Sequence, residues 1–266
     1  MPRFINTAES FPGVITQTIF WQKSMSLFAF RFGKSDQDNS DIGAELLHRI
    51  PYSLCITVPI FLFSLMLNLF VAMIVAFYRA SYIDTAVLVL CVIMMSISAL
   101  FYIIYGQLVF AILLKLVPVS GFDGEFPHYF KFLALPVLMG VISSFGGGVR
   151  YYRTIFLEEI NKDYIRTARA KGLSEGVVLF KHALKNAMLP ILTNVVVMIP
   201  FLIMGSLLTE NFFGIPGLGS YMIDAISRQD FAVLRSMVFL GAFMYVISLV
   251  LVDVSYTMVD PRIRLG

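Results

Sequence analysis

Side chains of the types that bind metals or carry out catalysis occur in this sequence, but their spacing favours neither role. The three histidines lie too far apart along the chain to form a metal-ligand motif: His48, His128 and His182. The polar run 33–41 contains three aspartates but has no glycine directly after them and no terminal glutamate, both of which a calcium-binding loop has. We therefore interpret it as a solvated loop. No Ser/His/Asp set, carboxylate pair or metal motif falls in the apolar runs. We therefore predict that the protein is not an enzyme and binds no metal or cofactor directly.

The sequence does concentrate positive charge. Eight of its 20 Lys and Arg residues lie between Arg150 and Lys185, most of them within residues 157–190, a polar segment that we call the island. The net charge is only +3, so the overall balance does not favour nucleic-acid binding. Composition alone leaves two interpretations of the island: a loop that is basic because cytosolic loops are basic, and a surface that docks a soluble partner.

The pattern within the island favours the docking surface. Apolar residues between Glu158 and Lys171 recur at helical spacing, and acidic residues precede basic ones as a helix dipole prefers. Gly172 is a natural left-handed stop for this helix, and Ser174 is a natural N-cap for a second helix towards Pro190. The sequence therefore predicts a helix-turn-helix elbow that can transmit a push from a soluble partner.

Long apolar runs position the island in a membrane. With 58% hydrophobic and 14% charged residues, the chain is typical of an integral membrane protein. We predict an all-α polytopic bundle of about five transmembrane helices with boundaries near 53–78, 85–114, 130–149, 188–209 and 234–258. The basic island determines the orientation, because positive residues stay inside. Residues 1–52 then form an extracytoplasmic segment without a cleavable signal peptide, and 53–266 form the transmembrane domain, with a cytoplasmic coupling loop at 150–187.

A few polar residues in the apolar runs are candidates for lining a solute pathway. Interhelical hydrogen bonding is the more common use of such residues. The candidates are Ser96, Ser98, Gln107 and Asn194. Asp253, near the end of the last run, is either part of an ion or solute site or the partner of a nearby group such as Arg262, and its position near the membrane surface favours the second role.

The residues of the island resemble a known motif. The stretch YIRTARAKGLSEGVVLFKHALKNAMLP is similar to the EAA loop of binding-protein-dependent ABC transporter permeases, in the form found in the dipeptide, oligopeptide and nickel branch. The matching positions in the island are Tyr164, Arg166, Thr167, Ala168, Arg169, Ala170, Lys171, Gly172, Leu173, Ser174, His182, Asn186 and Pro190. Further matches lie at Phe213, Pro216, Gly217, Leu218, Gly219, Arg228, Asp230, Asp253, Tyr256, Asp260, Pro261 and Arg262.

The resemblance implies a permease subunit in a bacterial or archaeal cytoplasmic membrane. Its implied partners are a second permease subunit, two cytosolic ATPases that carry ATP and Mg, and an extracytoplasmic solute-binding protein. The implied cargo is a peptide, or nickel or a related solute. Docking to the ATPases falls on Arg166, Thr167, Ala168, Arg169, Ala170, Lys171, Gly172, Leu173, Ser174, Glu175, Val177 and Val178, with Leu173, Val177 and Val178 as apolar anchors.

Three departures from that pattern stand out. Members of the branch usually start with a further N-terminal span, and residues 1–52 show none, which leaves a truncated chain and a shortened member as alternatives. Arg166 replaces the glutamate of the generic motif, and Lys185 replaces a proline of some relatives. A secondary transporter is the alternative to an ABC permease, but the sequence shows no inverted repeat and almost no charge within its spans. An intramembrane enzyme is less consistent still.

Overall fold

A computed structural model describes residues 27–122 and 129–259 of the chain. In these ranges the protein is helical, apart from one isolated bridge between Lys34 and Asp41. The ten helices of these ranges are α1 Ile42–Phe77, α2 Tyr82–Met95, α3 Ala99–Gly106, α4 Tyr129–Ile160, α5 Asp163–Ala170, α6 Glu175–Val177, α7 Leu184–Met204, α8 Leu207–Phe213, α9 Leu218–Arg228 and α10 Phe231–Val259. Two π-helical segments, Gln107–Leu113 and Val178–Ala183, extend α3 and join α6 to α7.

Four helices are long and apolar enough to cross a membrane: Ile42–Phe77, Phe130–Ile160, Glu175–Met204 and Phe231–Ser255. A fifth candidate is the pair α2 and α3, with the π-helical extension of α3 included. The predicted all-α polytopic bundle is thereby confirmed. Several boundaries differ from the sequence prediction. The division at residue 52 falls inside α1, α4 continues through Gly146–Gly148 to Ile160, and the span predicted at 188–209 begins at Glu175 and ends at Met204.

The second predicted span, 85–114, is two helices that meet at an angle of 87°. Serines make the break. Ser96 ends α2 and its hydroxyl donates to the carbonyl of Val92 at 2.8 Å, while the Ser98 hydroxyl caps α3 by accepting from the Leu100 N–H. The Tyr102 hydroxyl then donates across the break to the carbonyl of Met94 at 2.9 Å. The second run is therefore a hydrogen-bonded bend and not one straight helix.

The centre of the bundle is the contact between α1 and α4. Glycines of α4 allow the approach, because a Cβ at Gly140 would overlap the Ile60 side chain and a Cβ at Gly148 would overlap Asn68. The Ser64 and Ser144 hydroxyls bond to each other across the same contact at 2.8 Å. Helix α7 packs on both α1 and α10. It follows the island in the chain and precedes α8. We call the end of the bundle that carries the island the island end, and the end that carries α8 and α9 the far end.

Candidate functional site

The island folds into a helical corner packed against the end of α4. Buried apolar side chains from α4, α5 and the π-helical segment form one cluster: Tyr152, Ile155, Phe156, Ile160, Ile165, Ala168, Val178, Leu179 and Ala183. Because both arms of the corner contribute to the same cluster, the corner cannot move without α4 or without separating apolar surfaces. The predicted stripe of α5 is confirmed at Ile165 and Ala168.

The turn of the corner has the geometry that the sequence predicts at Gly172. Gly172 has φ +78, the left-handed conformation that glycine adopts without steric cost. The Gly172 N–H donates to the carbonyl of Arg169 at 2.9 Å, and the Leu173 N–H donates to that of Ala168 at 3.4 Å. This pair of bonds is the Schellman ending of a helix. Ser174 occupies the N-cap position of α6, but its side chain makes no capping hydrogen bond.

The apex of the corner is exposed. Every residue from Ala170 to Val177 is exposed, whereas Ala168 and Val178 on either side are buried. Of the three predicted apolar anchors, Leu173 and Val177 project outwards, with 39% and 40% of their surface exposed. The prediction for Val178 is wrong: its side chain is fully buried in the cluster with α4. Adjacent helical residues do not face the same side, so Val177 and Val178 could not both be anchors.

The second arm of the corner is part of a membrane helix. The sequence predicts a short helix ending near Pro190, but α6, the π-helical segment and α7 form one helix from Glu175 to Met204. Pro190 and Pro200 both lie inside α7. A displacement of the apex would therefore reach the far end of the bundle through one continuous element.

Two charged contacts that the sequence analysis did not predict stabilise the island end, and Glu159 makes the first of them. Glu159 of α4 is buried, accepts a bond from the Tyr164 hydroxyl and pairs with the Lys162 ammonium at 2.5 Å. Burial, followed by the bond to Glu159, raises the pKa of Tyr164 to about 12. The sequence signal for these contacts is local, because Glu159 precedes Lys162 by three residues and Tyr164 by five.

An ion pair between the half-buried Arg153 and the buried Asp84 joins α4 to α2 nearby. The Arg153 guanidinium donates two hydrogen bonds to the Asp84 carboxylate, each of 2.8 Å, and the Ala80 N–H donates a third at 3.0 Å. The bidentate geometry fixes the direction of both side chains. Both residues lie outside the predicted spans, where their separation of 69 positions gave no pairing signal.

The four candidate pathway residues do not converge on one site. Ser96 and Ser98 end and begin helices at the α2–α3 break. The Gln107 amide donates to the carbonyls of Val119 and Phe212 at 3.0 and 2.9 Å. Asn194 accepts from the Tyr152 hydroxyl at 3.1 Å, a bond between α7 and α4. The interhelical role that sequence reasoning weighed against pathway lining is the one that Asn194 has.

A cavity of about 390 Å³ lies between α1, α4 and α7, towards the far end. None of those four candidates lines it. Its polar groups are hydroxyls: Thr57, Ser64, Ser143, Ser144, Ser206 and Thr209. The remaining lining side chains are apolar, and none carries a charge. The hydroxyls of Thr57, Ser143, Ser144 and Ser206 already donate to neighbouring protein oxygens, so this lining offers a solute mainly hydrogen-bond acceptors.

At the far end, α8 and α9 form a second corner around a buried carboxylate. Glu210 is fully buried and accepts hydrogen bonds from the N–H groups of Ser206, Gly219 and Ser220 at 3.0, 2.7 and 3.2 Å. The Ser53 hydroxyl of α1 adjoins it and accepts from the Leu218 N–H at 2.7 Å. Burial raises the pKa of Glu210, and these hydrogen bonds oppose the rise only in part. Sequence reasoning placed Glu210 in an outer loop and gave it no role.

The polar run 33–41 is fastened to the same end, and its interpretation as a solvated loop is wrong in part. Asp36 accepts from the Ala232 N–H at 3.0 Å, and Asp38 pairs with Arg228 at 3.2 Å. Asp230 is bonded by the Ser35 hydroxyl and by backbone N–H groups. Burial alone would raise the pKa of Asp230, but these bonds outweigh burial and hold it below its usual value.

The role predicted for Asp253 stays a prediction. Its side chain is exposed on α10. Arg262, its suggested partner, lies outside the described residues, as do Asp260 and Pro261 of the resemblance.

These features define a multi-pass membrane component with a rigid, exposed helical corner at one end. Residues 68–265 match the family model of the binding-protein-dependent transport system inner membrane component. The match covers well over half of the chain, and the chain belongs to this family. It is a multi-pass protein of the inner membrane, as the island's resemblance implied.

Curated relatives agree with this assignment. A putative peptide transport system permease protein of Brucella abortus (strain 2308) is 32% identical over 243 residues, which cover 90% of this chain and 77% of the relative. A dipeptide transport system permease protein of Bacillus subtilis (strain 168) is 33% identical over 256 residues, 95% of this chain and 80% of the relative. An oligopeptide transport system permease protein of the same organism is 42% identical over 132 residues, 50% of this chain and 42% of the relative.

Proposed function

We propose that this chain is the permease subunit of an ABC importer for peptides, working with a second permease subunit, two cytosolic ATPases and an extracytoplasmic solute-binding protein. The names of its relatives support peptides as the solute. Neither the sequence nor the part of the chain that the structure describes contains a metal-ligand cluster that would favour nickel over peptides. With the island inside, the island end faces the cytosol and the far end faces outwards.

The observation that carries the proposal is the exposed apex on a buried base. Residues 170–177 present a continuous surface to a soluble partner, while both flanks are locked into the cluster with α4. An ATPase that grips the apex would move α4 and the helix Glu175–Met204 together, because packed helices shift as units. ATP and Mg would be bound by the partner ATPases, and this chain would supply the mechanical connection.

The hydroxyl-lined cavity is the proposed section of the solute pathway within this subunit. Its volume of about 390 Å³ lies within the usual range of small-molecule sites, roughly 300–1,000 Å³. Uncharged hydroxyls can bond the amide groups common to all peptides without selecting a side chain. Selection among peptides would then fall to the solute-binding protein.

The docking surface is tested by co-purification. Leu173→Asp and Val177→Asp place charges in the proposed contact and should abolish recovery of the ATPases with the tagged permease. Ile226→Asp is the control, because Ile226 is an exposed apolar residue on α9 at the other end of the molecule. Full ATPase recovery with the two apex variants would contradict the proposed docking surface.

Transport itself is tested with the complete complex in proteoliposomes. Uptake of a labelled dipeptide should require ATP inside and the binding protein outside, and labelled nickel serves as the comparison solute. Uptake driven by an ion gradient without any ATPase would instead establish the secondary transporter.

A further inference from the structure

Helix α8 and the turn before it line the far end of the hydroxyl-lined cavity. Four of the cavity's lining residues belong to α8 or to the turn before it: Gly205, Ser206, Leu208 and Thr209. At seven residues, α8 is far too short to span a membrane, and it has glycines with positive φ at both ends, Gly205 at +74 and Gly214 at +66. It is a separate rigid segment between two turns.

The two ends of α8 are held differently. At its C-terminal end, the carbonyl of Phe212 accepts from Gln107 and that of Phe213 accepts from the Gly121 N–H at 2.8 Å, and the Phe213 ring is buried. At the end beside the cavity, the Glu210 carboxylate receives the N–H groups of Ser206, Gly219 and Ser220. One side chain thus holds the start of α8 against the start of α9.

The space around this carboxylate is reserved by glycines. A Cβ at Gly205 would overlap one Glu210 oxygen, and a Cβ at Gly217 would overlap the other as well as the Ser53 hydroxyl. Gly217 has φ −93 and ψ −171, a conformation open to any residue. Its need for glycine therefore comes from the carboxylate and not from the backbone.

We propose that α8 is the outer gate of the hydroxyl-lined cavity and that Glu210 is the latch that holds it shut. This inference rests on the proposed function, since it assumes that the cavity carries solute. The gate would turn about its buried Phe213 end when the latch opens. The helix Glu175–Met204 ends one residue before Gly205, so a displacement of the cytosolic corner arrives at the latch end of the gate, opposite its Phe213 end.

The gate is tested by the reactivity of a cysteine inside the cavity. Ser143→Cys is introduced into a complex whose native Cys55 and Cys91 are replaced by alanine, because Ser143 lines the cavity without touching the latch. A sulfonated, membrane-impermeant maleimide is added from outside. Glu210→Ala and Gly217→Ala should each raise the labelling rate about tenfold or more, as expected when several hydrogen bonds of a closed state are lost.

Each variant has a matched control. Asp224→Ala removes an exposed carboxylate from α9, and Gly147→Ala adds a Cβ where no atom lies within 4 Å, so both should label at the parent rate. If the latch variants that assemble label no faster than their controls, the gate is refuted. Hydrogen exchange on the parent complex needs no variant: the amides of α8 should exchange faster when ATP and the binding protein are added, and unchanged protection would also refute the gate.

The outcomes also separate the gate from the function. Parent levels of peptide uptake with unchanged labelling would overturn the gate alone. Faster labelling in a complex that takes up no peptide, even as the parent protein, would establish a gate but overturn the proposed function.

Discussion

The two corners at the ends of the helix Glu175–Met204 differ in the contacts that dominate them. The inner corner, residues 163–183, is held mainly by apolar packing below, with one hydrogen bond from Tyr164 to the buried Glu159, and it leaves its apex exposed. The outer corner, residues 205–228, surrounds a buried carboxylate whose partners are backbone N–H groups and the Ser53 hydroxyl. Apolar packing is non-directional, so it makes a base that stays together under load. Hydrogen bonds to one carboxylate are directional and are lost together, so they make a latch.

Removal of the Glu210 carboxylate should lower the stability of the protein more than any other substitution proposed here. Glu210→Ala leaves the N–H groups of Ser206, Gly219 and Ser220 without their acceptor, which should lower the free energy of unfolding by about 2–5 kcal/mol. The measurement is thermal unfolding of the purified complex in detergent. Asp224→Ala is the control. Equal unfolding midpoints for the two variants would mean that Glu210 does not stabilise the protein.

A substitution in the turn of the inner corner should lower stability less than Glu210→Ala does. It should lower the coupling between ATP hydrolysis and peptide transport more. Gly172→Val forces a β-branched residue into φ +78, which should cost about 1–2 kcal/mol. Membrane insertion should persist, because the apolar cluster is untouched, while peptide-stimulated ATP hydrolysis should fall towards its basal rate.

Gly147 provides the control for that substitution. Like Gly172 it is exposed with no atom near a Cβ, but it lies in α4 with an ordinary φ and outside the docking surface. Gly147→Val should therefore leave coupling close to that of the parent. Normal peptide uptake by Gly172→Val would remove the rigid elbow from the mechanism.

Two carboxylates of the far end give the stability opposite dependences on pH. Burial raises the pKa of Glu210 in the folded protein, so the folded state binds the proton more tightly than the unfolded chain does. This contribution is fully present below the unfolded pKa and is lost as pH rises through the folded pKa. Asp230 has a lowered pKa and the opposite dependence, so its contribution is lost as pH falls.

Glu210→Gln isolates the contribution of the latch. The difference in unfolding midpoint between parent and variant should change as pH rises from about 4 towards neutrality, with the parent losing stability relative to the variant. Asp230→Asn should show the opposite trend, with the parent losing stability relative to the variant as pH falls. A parent-minus-Gln difference that is flat with pH would mean that Glu210 does not titrate with a raised pKa.

The difference between the corners also explains which parts were predictable from the sequence. The Schellman turn at Gly172 depends on residues within six positions of one another, and its signal is local. The latch joins Glu210 to Gly219, and Ser53 to Leu218 across 165 positions, which no local pattern contains. The number of apolar runs was predictable for the same reason that the turn was. The 87° break in the second run was not, because serines at 96 and 98 are equally compatible with a straight helix.

The smallest predicted effect concerns the ion pair across the inner turn. Arg169 donates to both oxygens of Glu175, at 2.7 and 3.0 Å, and both side chains are substantially exposed. Exposed pairs contribute about 0.2–1 kcal/mol, so Arg169→Ala and Glu175→Ala should shift the unfolding midpoint only slightly. If the pair serves only the turn, the two single variants and the double variant should also recruit the ATPases equally well. If Arg169 instead exchanges Glu175 for a partner carboxylate on docking, Glu175→Ala should strengthen recovery of the ATPases, because it frees the guanidinium, and Arg169→Ala should weaken it. If the two substitutions change ATPase recovery in opposite directions, the charged side chains of the inner corner serve to bind the ATPase, unlike those of the outer corner.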